Sequence, residues 1–388
     1  MILLAADSSF AKMTKGGEMK TIVINGANGY VASNFINELL LRDYKVIALV
    51  RSNKKYSAEE RMKDALLHMN NGKEVNFNNL EVHNYSLFEK DFALQEEELK
   101  SIFGGNIDYF HFAASLKFDI KSKEEIFGTN LQGVTNSVDT FLKYSNPESR
   151  FFFVSTAYSC GKIAGKFEER FYENEEIDAF RNYYEQSKRY AENVIKNYIE
   201  ERNLNASILR LSQVVGNNKT GVTKTDYGIF DFSKRIQNIA EKYPNSSIRI
   251  KVDPESTQNL IPIDTVVTYL MSAVRAENVP VILNIIAKSS VKNSDILNSL
   301  GRLLPIKIEA DLNLKREDMN SLERIISVGM SFTRAYIDIN ILFDTTQLDS
   351  IVQEDVKSVT PESIFRMLEY FLNGMDGKKG KQLFQNAG

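Results

Sequence analysis

Apolar and polar positions along this chain follow two alternating rhythms. Short runs rich in β-branched residues are separated by longer stretches in which apolar residues recur every three or four positions. The first run is Thr21–Asn25. A helical pattern over Gly29–Arg42 follows, with Phe35, Ile36, Leu39 and Leu40 on one face. The rhythm continues as strand Lys45–Val50, helix Ala58–Met69, strand Leu80–His83, helix Gln95–Ile102 and strand Asp108–Phe112. One long helix over Glu124–Tyr144, strand Arg150–Ser155, helix Tyr183–Arg202 and strand Ala206–Leu211 complete it. A parallel strand pair needs a crossover long enough to carry the chain back, so this alternation predicts βαβ units. The expected fold is α/β, a Rossmann-type doubly wound parallel sheet.

Beyond Gly216 the pattern loosens. Asn217–Gly228 is polar and reads as a long loop, and Ile261-Pro262-Ile263-Asp264 leads into an apolar helix ending near Arg275. A strand follows at Val281–Ile286, and from Ser290 the chain reads as mostly helical. Ile364, Leu368 and Phe371 mark an amphipathic last helix whose stripe is read as core packing. The expected division is a leader over 1–18, a Rossmann domain over 19–216, a substrate-loop region over 217–260 and a return to the sheet over 261–289. A smaller, mostly helical C-terminal substrate subdomain over 290–375 and a polar tail over 376–388 complete it.

Composition narrows the function classes. With 388 residues, 43% of them hydrophobic, the chain can bury a large core. A formal net charge of −3 with no long basic block argues against electrostatic nucleic-acid binding. The single cysteine, Cys160, excludes an intrachain disulfide and points to a reducing compartment, so a cytoplasmic location is expected. Three histidines and one cysteine offer no metal-ligand spacing, and no metal is expected. No apolar run approaches the roughly 20 residues of a membrane-spanning helix. Met1–Ala6 is apolar but has no basic flank, and Asp7 interrupts it. It reads as a leader rather than a signal peptide, with Met19 as the candidate start.

Three segments carry candidate chemistry. Asn25-Gly26-Ala27-Asn28-Gly29-Tyr30-Val31-Ala32 lies between the first strand and first helix. Gly26 permits a tight turn, Gly29 lets a pyrophosphate approach the backbone, and small Ala32 lets the helix pack on the strand. The helix start then offers N–H groups and a positive dipole end to phosphate. Arg51 follows the second strand, where a site selective for NAD places an acid. An arginine there, with Ser52, Lys54 and Lys55, is suited to the 2′-phosphate of NADPH. Tyr184 and Lys188, four apart on a helix, share one face. A neighbouring ammonium favours phenolate, so the Tyr184 pKa is expected to fall toward neutrality, suiting it to proton transfer during hydride transfer.

With these pieces together the chain resembles the extended branch of the short-chain dehydrogenase/reductase superfamily, over Thr21 to about Ile286. His111-Phe112-Ala113-Ala114-Ser115 is similar to that family's fourth-strand motif lining the cofactor. Asn130 is similar to its helix asparagine bracing the active site. In Val154-Ser155-Thr156-Ala157-Tyr158, Thr156 falls at the catalytic Ser/Thr position. Leu209-Arg210-Leu211-Ser212-Gln213-Val214-Val215-Gly216 resembles the stretch that meets the nicotinamide amide. Finer features resemble the thioester reductases and fatty acyl-CoA reductases of male-sterility type. These are His111–Ala114, Ser155–Tyr158 with Gly161, Tyr184–Lys188 with Ala191 and Glu192, Ile261–Val266, and Phe343-Asp344-Thr345-Thr346. Three positions depart from the pattern. Ala32 replaces a third glycine, Asn84 stands where an adenine-contacting aspartate is common, and Leu211-Ser212 replaces a proline after arginine.

The resemblance implies an NADPH-dependent reductase of acyl thioesters, carried on coenzyme A or an acyl-carrier protein. The product is an aldehyde, or an alcohol if a second hydride follows. Thr156, Tyr184, Lys188 and Asn130 are the implied catalytic group. The implied cofactor contacts are Gly26, Asn28, Gly29, Tyr30, Val31, Arg51, Ser52, Asn84, Ala113, Ala114, Ser115, Lys188, Leu211 and Ser212. The rival readings are another reaction of the superfamily, such as sugar-nucleotide epimerisation, dehydration or ketone or aldehyde reduction, and a non-catalytic NADP sensor. Cys160 is read as a small packed residue and His111 as a cofactor-wall or core residue, while His68 and His83 carry no legible role. Lys219, Lys224, Lys234 and Arg235 read either as a solvated basic face or as an attraction for coenzyme A phosphates or an acidic carrier protein.

Overall fold

The computed structural model describes residues 20–69, 75–163, 165–329, 336 and 340–385. The expected leader and the candidate start at Met19 lie outside the described residues. The first half runs β1 (Thr21–Asn25), α1 (Tyr30–Leu41), β2 (Lys45–Val50), α2 (Ala58–Met69), β3 (Leu80–Asn84), α3 (Glu96–Phe103) and β4 (Ile107–His111). Then come α4 (Lys123–Phe127), α5 (Gly133–Tyr144), β5 (Arg150–Thr156), β6 (Lys166–Phe167), α6 (Tyr183–Arg202), β7 (Ala206–Leu211) and β8 (Gln213–Val215). The remainder comprises α7 (Ile229–Lys242), β9 (Ser247–Ile250), β10 (Thr257–Gln258), β11 (Leu260–Pro262), α8 (Ile263–Arg275) and β12 (Ile282–Ile285). It continues through β13 (Val291–Lys292), α9 (Asn293–Leu303), β14 (Lys307–Ala310), α10 (Ser321–Gly329), β15 (Leu342–Phe343), α11 (Thr346–Ile351) and α12 (Pro361–Gln385).

Seven strands form one parallel sheet in the order β12-β7-β5-β4-β1-β2-β3, the doubly wound arrangement expected. Strand order reverses between β1 and β4, whose ends meet as Asn25 opposite His111. A crevice opens outside the carboxyl ends of the strands at such a switch point. The strands are apolar almost throughout because helices cover both faces. Ile22, Ile24, Phe110, Phe152 and Leu209 bury one face together with Phe35 of α1 and Val266 and Leu270 of α8. Val23, Tyr109, Phe151, Phe153 and Ile208 bury the other, with residues of α3, α5 and α6. Each such side chain contributes roughly 1.5–3 kcal/mol by leaving water. That burial holds the strand ends in register under the site.

Two local findings depart from the sequence pattern. The helix expected over Glu124–Tyr144 is interrupted by a π-helical turn, Gly128–Gln132, between α4 and α5. The wide turn carries Asn130 inward, and hydrogen bonds to two other segments stabilise it there. The C-terminal part is mostly helical as expected, but short parallel pairs tie it back: β14 with β9, and β15 with β6. Strands this short leave no periodicity to read. The Phe343-Asp344 motif belongs to the second pair, where Asp344 accepts from Lys166 at 2.6 Å and its carbonyl from Asn284 at 2.9 Å. The α12 helix runs past Gly374 to Gln385, through part of the stretch read as a polar tail.

Candidate active site

The β1–α1 turn builds one end of the site. Gly26 has φ of +59°, and a Cβ there would lie 2.8 Å from the Ala113 backbone nitrogen, so the turn admits only glycine. Gly29 donates its N–H to the Gly26 carbonyl at 2.9 Å and precedes α1 without any side-chain cap. The first-turn N–H groups are therefore left to whatever enters the crevice. Ala32 is buried, as its packing role requires.

Sequence reasoning missed Asn25. Its Oδ1 accepts from Ala113 N at 3.0 Å, and its Nδ2 donates to the Tyr109 hydroxyl and to His111 Nδ1, each at 2.8 Å. This polar residue at the end of a Val/Ile strand locks β1 to β4 beneath the turn. A polar residue at a buried strand position was the available signal. His111 Nδ1 is thus an acceptor and its proton sits on Nε2, a buried atom with no partner among the described residues. Burial, with nearby Lys188, lowers the His111 pKa to about 3. It is a neutral core residue.

At the other end, β5 delivers Thr156 and α6 delivers Tyr184 and Lys188. Asn182 caps α6, accepting from Glu185 N at 3.0 Å, which sets the helix start and aims Tyr184 at the sheet. Tyr184 and Thr156 share the cavity wall, close enough for the threonine hydroxyl to lower the phenol's pKa. Thr156 Oγ1 also donates to the Leu211 carbonyl at 3.3 Å. Lys188 is 2% exposed and donates to the Val154 carbonyl at 2.8 Å, with its ammonium 4.8 Å from the Phe153 ring.

The pKa expectation for Tyr184 is overturned. Burial raises its pKa, Glu185 adds to the rise, and only the Thr156 hydroxyl opposes it. The physical reason is that Lys188 is buried too. Loss of hydration lowers its pKa to about 7, against a smaller opposing pull from Glu192, so it is not a fixed cation near neutral pH.

A buried ionic network supports this group from behind. Glu192 accepts from Ser155 Oγ at 2.6 Å, Ser159 Oγ at 2.8 Å and Arg210 Nη2 at 2.8 Å, with Arg189 at 3.3 Å. The arginines hold the Glu192 carboxyl below the usual carboxylate range although burial pushes it up. Asn130 accepts from Ser115 N at 2.7 Å and donates to Ser187 Oγ at 2.9 Å, joining the segment after β4 to α6. Cys160 is buried and its thiol is pushed up to about 12, chiefly by burial, which fits packing rather than nucleophilic chemistry.

One cavity of about 500 Å³ joins the two ends. Among the expected residues it is lined by Gly26, Asn28, Gly29, Tyr30, Val31, Arg51, Ala113, Ala114, Thr156, Tyr184, Lys188, Leu211 and Ser212. Ser52, Asn84, Ser115 and Asn130 are not in its wall. Asn84 Oδ1 accepts from Ser52 N at 2.8 Å, as Asn130 does from Ser115, so both pairs brace the wall from outside. Tyr85, Leu87 and Phe88 line the end near Arg51. Arg61 of α2 also lines it and donates to the Arg51 carbonyl. No sequence signal separated Arg61 from an ordinary helical surface arginine. Tyr227, Gln213, Gln258 and Tyr336 close the other end. Tyr336 donates to Glu185 at 2.5 Å and stands edge-on to Tyr158 at 4.9 Å. The Lys219, Lys224, Lys234 and Arg235 side chains lie outside the cavity wall, and Arg235 pairs with Asp231 at 2.9 Å.

The residues fit a dinucleotide. A bare helix start and a glycine turn face one end, and at the other the Ser212 Oγ is buried on the wall without a partner among the described residues. Among the described residues no cluster of metal-ligating side chains occurs, and no helix is long and apolar enough to cross a membrane.

Residues 24–270 match the NAD-binding family described as male sterility protein. Among curated protein sequences none matches. Similar solved structures include the terminal R domain of the myxalamid PKS-NRPS pathway, at 17% identity and a TM-score of 0.71 over 91% of each chain. A thiolation-reductase di-domain of an archaeal non-ribosomal peptide synthetase aligns at 18% identity and 0.70, covering 92% of this chain and 76% of that one. UDP-glucuronic acid 4-epimerase from Bacillus cereus, solved with NAD, aligns at 15% and 0.62, covering 90% and 96%. At these identities the likeness is one of fold.

Proposed function

Because this chain belongs to the male sterility protein family of NAD-binding domains, we propose that it is an NADPH-dependent reductase of acyl thioesters. The observation that carries the proposal is the meeting of Thr156, Tyr184 and Lys188 on the wall of the cavity that begins at the Gly26 turn. Gly26, Gly29 and the α1 start would hold the pyrophosphate, Arg51 and Arg61 the 2′-phosphate, and Leu211 and Ser212 the nicotinamide amide. The bound dinucleotide supplies hydride. As the thioester carbonyl becomes an oxyanion, the Thr156 hydroxyl turns its proton from the Leu211 carbonyl to the oxyanion and Tyr184 gives that oxygen a proton. The raised Tyr184 pKa keeps that proton in place until the oxyanion forms. The resulting hemithioacetal collapses to an aldehyde and a free thiol. Lys188 holds the catalytic end in place and, with a pKa near 7, supplies a group that exchanges protons at neutral pH.

The thioester is proposed to ride on coenzyme A or an acyl-carrier protein, a reading supported by the fold likeness to the R domain and the thiolation-reductase di-domain. Apolar Leu116, Phe118 and Val214 in the wall suit an acyl group. A cytoplasmic location belongs to the same proposal, supported by the free, buried Cys160.

The test is reduced-nicotinamide absorbance with acyl-CoA and acyl-carrier thioesters, with product identification, on wild type and Tyr184→Phe. Thioester-dependent NADPH loss that falls at least about a hundredfold in the variant, with NADPH binding retained, supports the reading. The fold likeness to the 4-epimerase favours a second reading, chemistry on a sugar nucleotide without net NADPH loss. Conversion of UDP-sugars with no thioester turnover would establish that one instead. NADPH binding with neither activity would leave a sensor.

A further inference from the structure

The cavity's far end holds a polar group that the proposed chemistry does not use. Gln213 begins β8, two residues beyond Leu211, whose carbonyl receives the Thr156 hydroxyl. Its side chain lies over Gly228, where φ is +59° and a Cβ would fall 1.6 Å from Gln213 Nε2. Only glycine at 228 leaves room for this amide. Yet the Gln213 amide makes no hydrogen bond among the described residues, although it lines the cavity. Gln258 lines the same end, upstream of Leu260, which pairs with Gln213 in register. Gln258 spends its Nε2 on Asn293 at 2.8 Å, and its oxygen has no partner among the described residues. Tyr227, the residue before Gly228, lines the same cavity.

An acyl chain cannot satisfy these groups, and a half-enclosed primary amide left without a partner is costly once ligand expels water. Its natural complement is a secondary amide, with one N–H and one carbonyl. Resting on the thioester reading above, we infer that Gln213 and Gln258 form a subsite for the amide of the leaving thiol. In a pantetheine thioester only two methylenes separate the sulfur from the first amide nitrogen. An arm bound here would therefore keep its carbonyl close to Thr156 and Tyr184 while the acyl group occupies the apolar wall. A site built to hydrogen-bond its substrate rejects analogues lacking the group.

The experiment compares octanoyl thioesters of pantetheine, N-acetylcysteamine and butanethiol, together with an N-acetylaminoacyl butanethiol thioester whose amide lies on the acyl side. Wild type should prefer the two amide-bearing thiols over butanethiol by about tenfold or more in kcat/KM, and Gln213→Met should collapse that preference. If Gln213→Met does not fold, as read by NADPH binding, Gln213→Ala carries the same comparison. An equal loss on every thioester, or an effect confined to the acyl-side amide, overturns the subsite. So does a wild type indifferent to the thiol, in each case with the thioester reading intact. A wild type that reduces none of them removes that reading and the subsite together.

Discussion

Lys188→Met offers a prediction independent of substrate. Lys188 is 2% exposed, and burial moves its pKa from 10.5 to about 7. An unfolded chain keeps the proton up to its ordinary pKa, whereas the folded protein releases it near neutrality. Between about 7 and 10.5 the unfolded state therefore binds more protons, and stability rises with pH. The penalty is complete below the lower value and absent above the upper one. At about 1.4 kcal/mol per pKa unit the interval corresponds to a penalty on the order of 5 kcal/mol, and local relaxation reduces it. Methionine has similar length and no charge, and it removes this term at the expense of one hydrogen bond to Val154. The assay is urea denaturation of the cofactor-free protein at several pH values from 6 to 10. Wild type should gain stability relative to the variant from about pH 7 upward, by a few kcal/mol in total, and the variant should be the more stable at pH 6. A parallel pH dependence in the two proteins would refute the reasoning.

Three further outcomes are expected. Glu192→Gln leaves Arg210 and Arg189 buried beside a neutral amide, so chemical denaturation should show a loss of about 3–5 kcal/mol. Gly26→Ala forces a Cβ against Ala113 and a left-handed backbone costing roughly 1–2 kcal/mol, so titration should show weakened NADPH binding and lowered stability together. Arg51→Asp should shift the NADPH/NADH preference toward NADH by at least about tenfold in relative kcat/KM, and an unchanged ratio would remove Arg51 from the 2′-phosphate site.

The alternation of strands and helices, the Gly26 turn and the four-residue spacing of Tyr184 and Lys188 were legible because each is a local property of the chain. Backbone sterics and helical geometry act over a few residues, so a doubly wound sheet with a tight glycine turn at the start of its first helix could be read directly. What the residues do to each other could not. The same Lys188 that sequence spacing makes an activating cation becomes a depressed, half-neutral amine once the fold excludes water around it. Arg61 had no signature because its partner lies outside its helix, Asn25 showed only as a polar residue ending an apolar strand, and Gln213 meets Gly228 only once the chain has folded. The π turn at Asn130 exists because Ser115 and Ser187 offer its amide hydrogen bonds. Local pattern determined the scaffold and the spacing that puts Tyr184 and Lys188 on one helix face. Only tertiary structure decided charge state, bracing and the shape of the substrate end, because desolvation and long-range hydrogen bonding depend on which distant segments are brought together.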